Sequence, residues 1–266
     1  MGVKYQPAST VELRQLVKDE NINLGEIDTS LITDMSGLFH GSKRKDFSGI
    51  ETWDVSNVIK MIYMFKDAIN FNADLSQWKV SNVINMSEMF NGASDFNCDI
   101  SKWDTSNVKY MSYMFRDAIK FNSDLSQWNV SNVITMAYMF YGTMKFNSDL
   151  SAWDVSSVEN MLYMFAYSYN FNSDLSKWDV SNVTNTSYMF NSAVSFNADI
   201  SKWDTSKVTN MDSMFCGAKK FNCDISNWNI SSVESMEGIF NRAEQFKANI
   251  SKWDLSKVLN HYLYKG

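Results

Sequence analysis

The sequence predicts a single-domain α/β solenoid of 25-residue units, and two observations carry that expectation. All nine tryptophans stand at positions 53, 78, 103, 128, 153, 178, 203, 228 and 253, one every 25 residues without a slip. The phenylalanines keep the same interval, from Phe65 to Phe240 and from Phe71 to Phe246, with Phe39 and Phe47 left over in an imperfect first unit. A fixed period in the twenties marks a chain in which each unit covers the apolar face of its neighbour.

Taken in order, residues 1–50 predict an N-terminal cap and a degenerate first unit. In "STVELRQLVKDE", Ser9 and Glu12 have the spacing of a capping box ahead of an amphipathic helix. "LGEIDTSLITDMSGLF" then aligns as a unit with Ile27 in the Trp position. Residues 51–266 continue as the repeat solenoid, one domain with the cap. One unit reads W-D-V-S-N-V-x-x-M-x-x-M-F-x-x-A-x-x-F-N-x-D-I-S-x. In its first part, "ISKWDTSNV" at 100–108, apolar or large residues fall at Ile100, Trp103 and Val108, and Thr105 stands where most units have Val, which gives the L-x-x-L-x-L spacing of a leucine-rich-repeat strand. Alternation then points Trp and Val inward and Asp and Ser outward.

The second part has another period. Val108, Met111, Met114, Phe115 and Ala118 form one apolar face of a short helix, with Ser106 placed to accept a hydrogen bond at its start. Strands stacked about 4.8 Å apart beside bulkier helices predict strands on the concave side and helices on the convex side. The final unit, "WDLSKVLNHYLYKG", stops partway through its helix with His261 in a Met position.

Composition narrows the function. The chain is 45% hydrophobic and 20% charged, with a net charge of −6 and no basic cluster, which argues against nucleic acid as a partner. No run of about 20 apolar residues exists to insert into a membrane, and the N-terminus lacks the apolar centre of a secretory signal. Cys98, Cys216 and Cys223 lack zinc-site spacing. Cys98 and Cys223 share one repeat position five units apart, beyond disulfide reach. Gly-rich phosphate loops are missing, and His40 and His261 have no nucleophile arranged with them, so neither catalytic residues nor a cofactor are expected.

The unit resembles that of the BspA-like leucine-rich-repeat family of bacterial surface proteins. The likeness rests on W-D-[VT]-S-N-V-x-x-M-x-x-M-F followed by F-N-x-D-[IL]-S, over residues 24–264. The resemblance implies a leucine-rich-repeat-like solenoid, secreted or displayed on the cell surface, that binds a host protein or mediates adhesion. Without an export or anchoring segment in the sequence, a cytoplasmic protein-interaction scaffold is the alternative. The partner's identity and the oligomeric state stay open.

Four repeated features are candidates for function, each with a plainer explanation. The Met columns (Met61 and Met64 and their successors) could hold soft metals, but their place on the apolar face makes them core. The Asn and Asp of F-N-x-D could bind calcium, but bonding to turn backbone or to indole N–H groups explains them better. Outward strand positions form two columns on the predicted concave face, including Lys102, Asp104, Gln127, Asn129, Lys177, Asp179, Lys202, Asp204, Asn227 and Asn229. These form either a polar groove for a protein partner or a solvated surface in which pairs such as Lys177/Asp179 and Lys202/Asp204 offset stacked charge. Tyr113, Tyr138, Tyr163 and Tyr188 form a further column, opposite the apolar stripe and hence on the predicted convex face. Glu88, Ser213 and Gly238 interrupt it, so the scaffold does not require Tyr there. Exposed tyrosines suit a protein interface, unless each ring simply lies flat on the next unit.

Overall fold

The structure is a computed structural model that describes residues 2–259. Its N-terminal helix α1 spans Thr10–Lys18 and is the only α-helix among the described residues. The Ser9 hydroxyl accepts from the Glu12 N–H, and the Glu12 carboxylate accepts from the Ala8 N–H, closing the capping box one residue early. Leu13 and Val17 of α1 are buried. Ile27, in the Trp position, is buried too, and its backbone pairs in parallel with Tyr5. A buried arginine ties this cap together. The Arg44 guanidinium donates to the carbonyls of Val17, Asp19, Ile22 and Asp46, collecting the C-terminal end of α1 and the segment after it.

From residue 28 onward the chain forms successive coils whose inward columns are those the repeat predicts. Trp, both Met columns, both Phe columns and the Val column are buried along the array. Each indole N–H donates to a carbonyl of the preceding coil, as Trp103 does to Leu75 O and Trp128 to Ile100 O, both at 3.0 Å. Trp is therefore both core filler and the bond that fastens one coil to the last.

The helix expected over 108–118, and over its counterparts, does not form. Within 61–68, alternate N–H groups leave the coil: Met61, Tyr63, Phe65 and Asp67 donate to the carbonyls of Asn85, Ser87, Met89 and Asn91 in the next coil. Met64, Lys66 and Ala68 donate locally, three residues back. The result is a run of tight turns in which Tyr63 and Asp67 take positive φ, 44° and 56°. Ser106 starts no helix; its N–H donates to the Asp104 carboxylate in a turn. The reason is spacing. Packed helices need 8–10 Å between axes, whereas the Phe65 and Phe90 rings of adjacent coils are 5.5 Å apart.

The strand expected over 100–108 is also absent. Trp103 N bonds to Ile100 O and Val108 N to Thr105 O, both within the coil, and only side chains reach the neighbours there. Parallel pairing is reduced to single bridges at one position per coil, from Asp34↔Lys60 to Asn210↔Ser235.

Curvature follows from rings at equivalent positions, whose separations measure the local step from coil to coil. The tyrosines step by 4.3–4.6 Å, the Phe65 column by 5.5–6.0 Å, and stacked Trp pairs by 6.2–6.5 Å. The stack is tightest where backbone bonds join the coils and widest at the Trp turns. The hydrogen-bonded ladder, with its tyrosines, is thus the concave side, and the Trp turns are the convex side, the reverse of the sequence expectation.

The convex corners are fixed by carboxylates. Asp74, Asp99, Asp149 and Asp174 each accept the N–H of the Ser two residues on. Asn97, Asn122, Asn147 and Asn172 form a second ladder, each backbone N–H donating to the Asn side chain one coil before. The F-N-x-D groups thus bond backbone, and the indoles go elsewhere. Hydrogen bonds from Ser hold many of these Asp carboxyls below their ordinary value of 3.8, from Asp28 to Asp254. A depressed carboxyl stabilises the fold above its unfolded pKa and loses that contribution as pH falls through the folded one. Thermal unfolding is expected to be insensitive to pH from 6 to 5 and to fall steeply below about pH 4. A flat Tm down to pH 2.5 would contradict this role for the turns.

Candidate functional site

The structure separates the two sets of predicted site residues. Lys102, Asp104, Gln127, Asn129, Lys177, Asp179, Lys202, Asp204, Asn227 and Asn229 are all exposed, but they line the convex Trp turns rather than a groove. Asp104, Asn129, Asp179, Asp204 and Asn229 each spend a side-chain oxygen on the Ser N–H two residues later. No ion pair joins Lys177 to Asp179 or Lys202 to Asp204 among the described residues. These residues are turn formers first.

The tyrosines instead come together on the ladder. Tyr113, Tyr138, Tyr163 and Tyr188 are half-buried and stack face to face, with ring planes within 16° of parallel. Faces are consumed within the stack, while edges and hydroxyls line the surface. Tyr141 tilts against Tyr138 and Tyr163 at 43° and 59°, and Tyr167 meets Tyr141 edge-on. The Arg116 guanidinium lies 5.8, 5.7 and 5.1 Å from the rings of Tyr113, Tyr138 and Tyr141. Asp117 keeps that cation in place at 3.2 Å.

Each of the four tyrosines holds φ between 55° and 61°, a conformation that side chains rarely adopt. Such a residue costs on the order of 1–3 kcal/mol, and a stacked aromatic pair returns about 0.5–1.5 kcal/mol. Stacking alone does not offset that strain; the apolar area that each half-buried ring covers adds to what stacking returns. The turn itself does not require Tyr, since the same column accepts Gly at Gly238 with φ 63°.

Burial pushes the Tyr163 phenol up to about 12 and raises Tyr138 and Tyr141 as well. A raised phenol is fully protonated below its unfolded pKa near 10, and the stability it contributes is lost as pH rises toward 12. An absorbance titration at 295 nm is expected to show these rings ionising last, with or after unfolding. Ionisation of all tyrosines in one step near pH 10 would refute the packing.

A groove of 790 Å³ runs beside the ladder between the exposed aliphatic residues Leu31, Ile59 and Ile84 and a row of asparagines. Asn57, Asn82 and Asn107 are already committed to carbonyls of preceding coils. Cys98, Cys216 and Cys223 are free thiols. Among the described residues no cluster of His, Cys, Asp or Glu is arranged to hold a metal, and no helix is long and apolar enough to cross a membrane. His261 and the end of the last unit lie outside the described residues.

Comparison with known families agrees with a tandem repeat. The profile described as "Mycoplasma protein of unknown function, DUF285" matches three times in tandem, at residues 11–118, 76–178 and 164–264. The chain belongs to the DUF285 family. Membership covers the cap helix as well as the coils, and so accounts for nearly all of the sequence. No curated protein matches the chain. Among solved structures, a crystal structure of a TLR13–ssRNA13 complex is similar at 8% identity and a TM-score of 0.23, over 91% of this chain and 52% of that one. The chain spans about half the length of that structure, and so slight a likeness carries no argument about the fold or function of this DUF285 protein.

The sequence signal for the tyrosine column was its interruption by Glu88, Ser213 and Gly238, and the structure places that column on the concave side rather than the convex one. Arg116 and Tyr141 went unnoticed, because neither repeats and only the fold brings them beside the stack.

Proposed function

We propose that this DUF285 protein is a non-enzymatic scaffold that binds another protein through its concave tyrosine ladder. The supporting observation is the row Tyr113, Tyr138, Tyr163 and Tyr188, kept at a strained backbone position that a smaller residue fills elsewhere in the same column. Tyr suits a rigid contact surface because it buries a large area with few torsions to freeze. The resemblance to BspA-like leucine-rich repeats makes adhesion or host-protein binding at a bacterial surface the preferred setting. An intracellular interaction scaffold is the second reading, favoured by three free thiols, which are more typical of a reducing compartment.

The test replaces Tyr138, Tyr163 and Tyr188 together by Ser, the residue found in that column at Ser213 with φ 49°. Folding is expected to survive, with Tm changed by only a few degrees. Photo-crosslinking groups at Ser213, Ile84 and Lys102, used in the cells that make the protein, locate the contact face. Adducts from Ser213 that disappear in the triple variant support the ladder. Adducts from Lys102 or Ile84 alone would move the site to the Trp turns or the aliphatic groove and overturn the proposal.

A further inference from the structure

Glu88 interrupts the tyrosine column, and nothing in the turn asks for a carboxylate there. It holds φ 59°, the same left-handed conformation as its column neighbours Tyr63 and Tyr113, at φ 44° and 61°. Its side chain is the meeting point of two others. One oxygen, Oε2, accepts from the Lys66 ammonium and, at 3.2 Å, from Asn91 Nδ2. Lys66 and Asn91 stand 25 residues apart, at the same repeat position in adjacent coils. Backbone bonds hold them in register, since Phe65 N–H donates to Met89 O at 2.8 Å and Asp67 N–H to Asn91 O at 2.7 Å. Asn91 is buried, and the Lys66 and Glu88 side chains are each 31% exposed. Among the described residues no other carboxylate joins a Lys amine to an Asn amide.

We infer that Lys66 and Asn91 condense into an isopeptide bond, with Glu88 carrying the protons. An amine, a carboxamide and a carboxylate bonded to both are the nucleophile, the electrophile and the general base of amide aminolysis. Glu88 takes a proton from the ammonium, which frees the Nζ lone pair to attack Asn91 Cγ. The carboxyl group then gives that proton to Nδ2 and takes a second from Nζ. The Cγ–Nδ2 bond breaks, and ammonia departs with the second proton as ammonium. One C–N bond forms and one breaks, with no oxidation and no co-reactant. Holding the three groups in contact on two joined coils removes the encounter that makes this reaction slow in solution.

The position of the bond agrees with the ladder beside it. From Tyr113 to Tyr188 each ring stacks on the next, whereas among the described residues the Tyr63 ring meets only that of His40. The coils of Lys66 and Asn91 therefore meet without tyrosine stacking, and a covalent link closes that joint. The inference is independent of which face binds a partner.

Intact-mass spectrometry of the full chain reads the reaction directly, because an isopeptide bond removes one ammonia, about 17 Da. The wild-type protein is expected to show that loss, and its tryptic digest to hold one branched peptide joining Lys66 to Asn91. Lys66→Arg, Glu88→Gln and Asn91→Ala should each have their full sequence mass, with unchanged circular dichroism. Glu88→Tyr, which restores the column residue, guards against misfolding and should also keep the full mass. A succinimide at Asn91–Gly92 would lose the same mass, but the Gly92 N–H is already bonded to Arg116 O at 2.7 Å. That product would persist in Lys66→Arg and give no branched peptide. Full mass in the wild-type protein after several days of warm incubation, or a loss that survives Lys66→Arg or Glu88→Gln, would overturn the inference.

Discussion

Trp153→Ala is expected to lower the unfolding free energy by about 3–5 kcal/mol, the range for emptying a buried aromatic site. Trp153 is 3% exposed, stacks on Trp178 at 6.4 Å and leans on Phe140 at 6.2 Å. Collapse around the hole is limited, because the neighbouring rings are held at fixed steps by the coils above and below. Trp153→Phe separates packing from hydrogen bonding. It keeps a ring but removes the indole N–H that donates to Leu125 O at 2.9 Å. That carbonyl retains a second donor, Trp128 N at 3.1 Å, so no acceptor is stranded. The loss is the net value of one bond, about 0.5–1.5 kcal/mol, plus the smaller ring area. Urea unfolding followed by circular dichroism measures both variants. Stability in a stacked array is a sum of coil and interface contributions, so Trp153→Ala, at mid-array, is also expected to broaden the transition as the two halves uncouple. An Ala variant within about 1 kcal/mol of wild type would mean that the indole column does not hold the coils together.

How far this fold can be read from its letters depends on which physical constraint each column reports. Burial is periodic and independent of backbone detail, so the inward columns of Trp, Val, Met and Phe were legible. The path between them was not. Met111, Met114, Phe115 and Ala118 recur at a spacing that fits a helix and equally fits successive three-residue turns, and both bury the same side chains. Glycine carried the distinguishing signal. Gly92 and Gly142 fall in the column where Asp67 and Asp117 also take positive φ, and a Cβ at Gly92 would lie 2.3 Å from the Asp67 carboxylate. Glycines recurring at one point inside a supposed helix argue against it. Missing the turns also reversed the curvature, because the bulky side was assigned to helices that are absent. The tyrosine column survived the error, since facing away from the apolar stripe does not depend on the backbone. Which side of the arc it occupies does, and only the coil-to-coil steps reveal it.

Arg44→Met tests the other joint, between the cap and the first coil. Met matches the length of the Arg stem but leaves the carbonyls of Val17, Asp19 and Ile22 without their guanidinium. Ile22 N still serves Asp19 O at 3.1 Å, so Val17 and Ile22 lose most. Bonds to a charged donor contribute about 1.5–3 kcal/mol each, and the expected loss is about 3–5 kcal/mol for the cap as a unit. Burial already lowers the Arg44 pKa despite the attraction of Asp46, Glu20 and Asp19, so the site tolerates the charge only because every arm is occupied. The loss should be local. In hydrogen exchange the amides of α1 are expected to lose protection in Arg44→Met, while coils around Trp128 to Trp203 keep theirs. Arg44→Lys, with a compact cation that cannot fork to four acceptors, should fall between the two. Uniform loss of protection along the whole chain would show that the cap nucleates every coil; no change in α1 would show that Leu13 and Val17 alone hold the helix in place.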